Sequence, residues 1–399
     1  MRILWNSSTP ACDSGYGIAT REICRRIRDA GHYVRIGTKH GYLHWHERDG
    51  IDVFDGSRLD LLKQMITDED FDYLISFWDI WLLPEHQYPK DKWVGYVPVD
   101  AETISDKLAD RAKDAGVQIA MSRHGEREMR RVGLDPLYVP IGVDTKTFRP
   151  KPEAREAFRQ SFGWDEDNFV IGTVGLNYPN DRKGFIELML AFKKLHDTNP
   201  NARLYVHTHW EGKMPNTVNL RQVAADLGID RWVAVPHQSA IDLSRIDQEW
   251  LADTYNGMDV FVLATDGEGF GMPLVEAQAC GVPVLTTATT TGPELCRTGW
   301  LIEVDGDDRR WCPNGAWRYK PRPSRILKQL RRAHSQWMNR AAYAKHRSNA
   351  RERVLEYDWD AVWTNYWLPV LGKLEATLKA KEREKATEEE VTEQMTAGG

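Results

Sequence analysis

Short apolar runs alternate with stretches of helical spacing along most of this chain. Near the start, Arg2 to Trp5 reads as a strand, residues 18 to 30 place Ile18, Ile23, Ile27 and Ala30 close to helical spacing with Gly31 as the stop, and Tyr33 to Ile36 is extended again. This is a βαβ opening. Further apolar runs at Tyr73 to Phe77, Trp93 to Val97, Val117 to Met121 and Leu137 to Ile141 are separated by polar or helix-like segments, as a parallel sheet with covering helices requires. The second half repeats the plan. Strands are predicted at Phe169 to Val174, Arg203 to Thr208, Trp232 to Val235, Val260 to Ala264 and Val282 to Thr286, with helices over 185–198, 219–227, 248–257 and 273–280 between them. Alternation at these lengths predicts a second doubly wound α/β domain, whose ligands bind beyond the carboxyl ends of the strands.

Between the halves lies Arg149-Pro-Lys-Pro-Glu153, whose two prolines disfavour both helix and inner strand and place a linker near residues 145–155. From about residue 323 the pattern is helical and Arg-rich. Trp359, Trp363, Tyr366 and Trp367 then form an aromatic stripe near helical spacing, which reads as a helix packed on the body. From Lys379 to Gly399 the chain is charged and poor in large apolar residues, the composition of a frayed or disordered tail.

A chain of 399 residues is too long for one ordinary core and suits two domains of similar size. No apolar run approaches the length that spans a bilayer, and Met1 leads straight into a strand pattern with no room for a signal peptide, which argues for a cytoplasmic location. Five cysteines without paired spacing indicate neither a disulfide framework nor a zinc site. Asp70-Phe-Asp72 and Asp358-Trp-Asp360 look like metal motifs, but the first precedes a strand and the second lies in the terminal helical region, so both read as surface carboxylates. His207 and His209 flank a strand end and lack metal spacing. The net charge of −6 does not point to bulk nucleic-acid binding.

The most informative stretch is Glu268-Gly-Phe-Gly-Met-Pro-Leu-Val-Glu276, followed by Ala-Gln-Ala-Cys-Gly281. A glycine-rich loop meets a helix that Pro273 opens and Gly281 ends, so free N–H groups and a positive helix end lie beside two carboxylates that only accept hydrogen bonds when ionised. Donors and acceptors side by side suit a nucleotide sugar. A pair of capping carboxylates has no need of the Gly-Phe-Gly-Met-Pro insert. Upstream, Gly175-Leu-Asn-Tyr-Pro-Asn-Asp-Arg182-Lys183-Gly184 follows a predicted strand and offers two cations, of which Arg182 can grip phosphate oxygens bidentately.

The Glu-x7-Glu spacing matches the signature of retaining glycosyltransferases of the GT-B fold, and the chain closely resembles the family-4 glycosyltransferases, most strongly from 169 to 295. The resemblance implies an α/β fold of two Rossmann-like doubly wound parallel-sheet domains facing across a cleft. It divides the chain into an acceptor-binding domain over 1–150, a donor domain over 151–355, a helix over 356–378 crossing back to the N-terminal domain, and a disordered tail over 379–399. It further implies transfer of a sugar from a UDP-, GDP- or similar nucleoside-diphosphate sugar to an acceptor hydroxyl, with retention, without metal and with no cofactor beyond the donor substrate.

By the same resemblance, Arg182 and Lys183 bind the donor diphosphate and stabilise its developing charge. Glu268 positions the donor sugar, backbone N–H groups of Gly269, Phe270, Gly271, Met272 and Leu274 hold sugar hydroxyls and phosphate, and Glu276 accepts from the ribose hydroxyls. Gly15 and Gly17, in Asp13-Ser-Gly-Tyr-Gly17, match the place where the first helix approaches the donor phosphate, although a lone Gly-x-Gly is a weak signal. Ala120 to His124 and Val139 to Pro150 match the family's end-of-domain pattern. One departure stands out. Where family members carry a His facing the donor sugar, this chain has Gly95-Tyr-Val-Pro-Val-Asp100-Ala-Glu102, which leaves Asp100 either to face the sugar or acceptor in a catalytic role or to cap the next helix.

Two other readings remain: an epimerase-like or phosphorylase enzyme on the same architecture, and a non-catalytic sugar-nucleotide or saccharide-binding protein. The acceptor is open among saccharide, lipid, protein and a nucleic-acid base, such as a modified DNA base. Lys39 to Arg48 interleaves basic and aromatic residues in the domain expected to hold it.

Overall fold

The computed structural model describes residues 1–397 except 40–45, 49, 69–70, 243–245 and 313–314. Most of the interleaved motif from Lys39 to Arg48 therefore lies outside the described residues, as does Asp70. The N-terminal sheet is built from β1 (Arg2–Ser7), β2 (Tyr33–Thr38), β3 (His46–Arg48), β4 (Ile51–Asp55), β5 (Tyr73–Phe77), β6 (Trp93–Val97), β7 (Val117–Ala120) and β8 (Leu137–Tyr138). Its order is β3-β4-β2-β1-β5-β6-β7-β8, parallel throughout except for β3, which runs antiparallel along the edge of β4. The second sheet comprises β9 (Phe169–Val174), β10 (Ala202–His207), β11 (Val233–Ala234), β12 (Val260–Leu263), β13 (Val284–Thr287) and β14 (Gly299–Ile302), in the all-parallel order β11-β10-β9-β12-β13-β14.

The inner strands are wholly buried because helices cover both faces, as in β5, β6 and β9, where every residue is buried. In each sheet the chain winds one way and then the other. The reversal falls between β1 and β5 in the first sheet and between β9 and β12 in the second. Loops leaving these strands diverge at their carboxyl ends and open a crevice there, which fixes where ligands enter. The helix Gly15–Asp29 begins at the first crevice with Ser14 as N-cap, its side chain accepting from the Gly17 amide.

A separate antiparallel hairpin, β15 (Arg309–Cys312) and β16 (Ala316–Tyr319), leaves the second sheet after β14. The periodicity does not reveal it. Its residues are mostly charged or half-exposed, so no buried face imprints alternation on the sequence. The strand β4 is likewise absent from the sequence reading, since Asp52 and Asp55 break up a run of only five residues.

The helices Pro323–Met338 and Arg340–Val354 pack on the second domain, after which the chain returns to the first. Trp367 is 1% exposed and lies 5.9 Å from Trp5 and 5.5 Å from Tyr96 between ring centroids. Tyr366 meets Tyr138 edge-on, and the Tyr73 hydroxyl donates to the Leu374 carbonyl. The tail over 379–399, expected as a frayed helix or a disordered segment, is helical as far as Ala397. One helix runs from Leu368 to Ala397; from Lys379 onward it is rich in Glu, Lys and Ala and meets no helix breaker before the final glycines.

Candidate functional site at the facing switch points

The loop after β9 carries Arg182 and Lys183 in an unusual backbone. Asn180 and Asp181 adopt φ of +61° and +51°, and Gly184 follows at +69°. A side chain at Gly184 would overlap the Ala264 carbonyl, so only glycine lets this loop lie against the end of β12. The Asp181 carboxylate is buried and accepts from the amides of Phe185 at 2.9 Å and Ile186 at 3.0 Å, fixing the start of the helix Phe185–His196. Lys320, also buried, donates to the Asp181 carbonyl at 2.8 Å and lies 3.2 Å from Glu187. Both cations are thereby aimed at the loop after β12.

There the Lys183 ammonium meets Glu268 Oε1 at 2.6 Å, and Arg182 donates to the Gly267 carbonyl at 2.8 Å. Burial disfavours ionisation of Glu268, but Lys183 and Arg182 together overcome it and hold the carboxyl below the ordinary glutamate value. Lys183 is drawn below the ordinary lysine value by burial, with the Arg182 charge adding to it against the pull of Glu268. The Glu268 amide donates to the Thr290 hydroxyl at 3.1 Å.

The helix after this loop spans Met272–Ala279, with Gly271 at φ +102° before it and Gly281 at φ +73° after it. Phe270 and Leu274 are core residues, and the Leu274 amide is already bonded to the Gly271 carbonyl. Glu276 is 4% exposed and accepts from the Tyr255 hydroxyl at 2.8 Å. Burial pushes its carboxyl up to about 7, so near neutrality this group is not a fixed anion in the way Glu268 is.

The N-terminal domain closes on this loop. Added side-chain carbons at Gly269 and Gly15 would lie 2.6 Å from Pro98 Cβ and 3.1 Å from Met272 Sδ respectively, while one at Gly17 would overlap the Cys12 carbonyl. Gly15 and Met272 thus face each other at the starts of two helices, one from each domain, whereas Gly17 serves the turn beneath. Asp100 is not a helix cap, since Ser105 caps the helix Asp106–Asp114. Its Oδ2 instead accepts from Arg318 at 2.6 Å and Arg182 at 3.3 Å.

Several site residues escaped the sequence reading. Asp79 follows β5 at the first crevice, and its carboxyl is pushed up by burial and by Asp100 against the pull of Arg182, Lys39 and Arg318. The Lys39 ammonium stands 3.5 Å above the Trp78 ring, and Tyr16 packs edge-on against Phe77. An acidic residue two positions after a buried inner strand was the available signal for Asp79; nothing local marked Arg318 or Lys320. His207 is packed between Tyr205 and Trp250, and burial lowers it to about 4. Asp358 caps the turn at Asp360 and accepts from Thr145, while Asp360 pairs with Arg26, so both carboxylates have structural partners. Among the described residues, no cluster of His, Cys, Asp and Glu is arranged to hold a metal ion. A separate cavity of about 620 Å³ beside the β10–β11 edge is lined by Phe158, Phe162, Tyr205, His237 and Trp250 among others, and shares no residue with the cluster around Glu268.

Residues 168–311, which span both cationic and acidic loops, match the sequence family described as Glycosyl transferases group 1. These residues form a group 1 glycosyltransferase domain. Its relatives include a GDP-mannose-dependent monoacylated alpha-(1-6)-phosphatidylinositol monomannoside mannosyltransferase of Corynebacterium glutamicum, 30% identical over 179 residues, or 43% of each chain. A D-inositol 3-phosphate glycosyltransferase of Geodermatophilus obscurus is 32% identical over 208 residues, 50% of this chain and 41% of that one. The chain thus spans less than half the length of these curated relatives. Among solved structures, sucrose-phosphate synthase from Thermosynechococcus elongatus superposes with a TM-score of 0.73 at 18% identity, covering 96% of this chain and 100% of that one. Anabaena HepE in complex with UDP-glucose gives 0.68 at 16% identity, covering 95% and 100%. Both halves of the chain are therefore arranged in the GT-B fold.

Proposed function

We propose that the protein transfers a sugar from a nucleoside-diphosphate sugar to an acceptor hydroxyl, with retention of configuration and without a metal ion. The observation that carries this reading is the meeting of Arg182, Lys183 and Glu268 at one switch point, opposite Gly15 after β1 and Asp100 after β6. When the bond between the anomeric carbon and the diphosphate oxygen breaks, negative charge grows on the leaving group. Arg182 and Lys183 supply fixed positive charge there, so protein cations meet the requirement that a divalent ion meets in other transferases. Glu268, held anionic, accepts from a sugar hydroxyl and orients the ring, while the N-terminus of the helix Met272–Ala279 supports the phosphates. Glu276 lies one turn further on and is assigned to the ribose.

For retention, the acceptor oxygen attacks from the face the diphosphate leaves, and its proton passes to the departing phosphate oxygen. Asp100 stands on the opposite wall and is assigned to the acceptor side. The relatives named for GDP-mannose and the fold relative bound to UDP-glucose both support a nucleotide-sugar donor. We place the enzyme in the cytoplasm, where its unpaired cysteines would stay reduced. Among the described residues no helix is long and apolar enough to cross a membrane.

The test is nucleotide release from a panel of UDP, GDP, ADP and TDP sugars, with and without EDTA. One donor should turn over, insensitive to EDTA, and Glu268→Ala should abolish the release. Absence of turnover together with absence of donor binding would refute the reading, and binding without turnover on any acceptor class would favour a sugar-nucleotide-binding protein.

A further inference from the structure

The hairpin β15–β16 reaches from the donor domain to the N-terminal domain and is held from both sides. Its Trp317 carbonyl accepts from the Glu102 amide at 2.8 Å, and Tyr319 donates to Glu102 at 2.6 Å. Arg309 adds an ion pair to the same carboxylate. One residue beyond the hairpin, Lys320 is tied to Asp181 in the loop that carries Arg182. Arg318 is thus held by contacts to both domains and stands beside Arg182, although 136 positions separate them in sequence.

A single oxygen, Asp100 Oδ2, bridges the two guanidinium groups. The Nε atoms of both Arg182 and Arg318 are buried with no hydrogen-bond partner, so each guanidinium has donor capacity that the carboxylate does not use. Arg182, Lys183 and Arg318 face Asp100 and Glu268, and Lys39 and Asp79 add one further charge of each sign beside them. An oxygen bridging two arginines, with unused donors around it and surplus positive charge, is how a protein receives a phosphate.

We propose that Arg318 is a third cationic ligand of the donor diphosphate, and that the Asp100 carboxylate is a built-in anion holding the same place, displaced when the diphosphate enters. This inference rests on the reading of the site as a nucleotide-sugar site. It makes the hairpin part of the binding site, and donor binding then breaks one of the contacts between the domains. Displaced from the arginines, Asp100 is free to turn to the acceptor.

If Arg318 and Asp100 only fasten the hairpin to the N-terminal domain, removing either partner breaks the same contact and shifts affinity in the same direction. Displacement requires opposite directions. The experiment is calorimetric binding of UDP, GDP, ADP and inorganic pyrophosphate to the full chain, in wild type, Arg318→Gln, Arg318→Lys, Asp100→Asn and Lys183→Gln, with thermal melts to show that each variant is folded. Loss of a charged hydrogen bond in Arg318→Gln should weaken binding by about tenfold or more, with Arg318→Lys intermediate. Asp100→Asn should tighten the binding of both nucleotide and pyrophosphate several-fold. Equal directions in the two variants, or no change in either while Lys183→Gln abolishes binding, would overturn the inference and leave the donor site standing. Failure of the wild type to bind any of the four probes would refute the donor reading itself, and the inference with it.

Discussion

Lys183 and Glu268, 85 residues apart in sequence, form a 2.6 Å ion pair with side chains 12% and 9% exposed. Neither charge can be removed without leaving the other buried and without its partner, so each is a point of failure for the whole arrangement.

Replacing Glu268 by Gln should therefore lower sugar transfer by about 100-fold or more, the scale of removing one preorganised electrostatic interaction. The steady-state rate of nucleotide release, compared with the thermal midpoint of the same preparation, checks this. A rate that falls only as far as the folded fraction falls would assign the pair to stability instead.

Glu276 sets a pH dependence of a defined sign. Its carboxyl rises from the ordinary 4.5 to about 7 on folding because it is buried. Between these values the unfolded chain has lost the proton and the folded protein keeps it. Stability is fully present below the lower value and falls as the pH rises toward the upper one. A shift of this size corresponds to about 3 kcal/mol. Urea unfolding midpoints recorded from pH 4.5 to 7.5 should decline more steeply in wild type than in Glu276→Gln, which has no such proton to lose. Parallel profiles would contradict the assignment.

Gly184 is expected to tolerate no side chain. At φ +69°, with the Ala264 carbonyl where a Cβ would stand, Gly184→Ala combines backbone strain with a steric clash. We expect a loss of about 2 kcal/mol or more. Because the strain lies one residue from Lys183, transfer should fall further than stability does. Chemical denaturation and turnover measured together test both halves of the statement.

The returning helix divides into an anchored and an unanchored part. Trp367→Ala removes a buried indole packed on Trp5 and Tyr96 and should cost about 3–5 kcal/mol. Ending the chain at Leu378 should cost less than about 1 kcal/mol, since the shortened helix gives up an exposed ion pair between Lys381 and Asp91. Denaturant midpoints of the two variants would reverse this order only if the tail carried packing that the exposed pattern of its side chains does not show.

Much of the architecture was legible because inner strands of a parallel sheet are continuous apolar runs. Phe169 to Val174 was read with its observed bounds, and the neighbouring strands within a residue or two. Lys183 and Glu268 were legible for a related reason: both follow such strands, where glycines and charged residues stand out. Arg318 was not. It lies in a two-stranded hairpin whose residues other than Ala316 are exposed or half-exposed among those described, in a segment that mixes arginines and aromatics around Pro-Asn-Gly as an exposed loop does.

By itself, then, the sequence determined two α/β units and the loops that hold the cations and the paired glutamates, because burial on both sheet faces and the need for glycine at tight approaches leave local marks. Only the tertiary structure decided how the charges are shared: that Glu276 is buried against Tyr255, that Asp79 faces the crevice, and that Asp100 lies between Arg182 and Arg318. These arrangements join segments that are distant in sequence, within one domain for Glu276 and across the closed domains for Asp100, and no local pattern of residues encodes the partner of a charge.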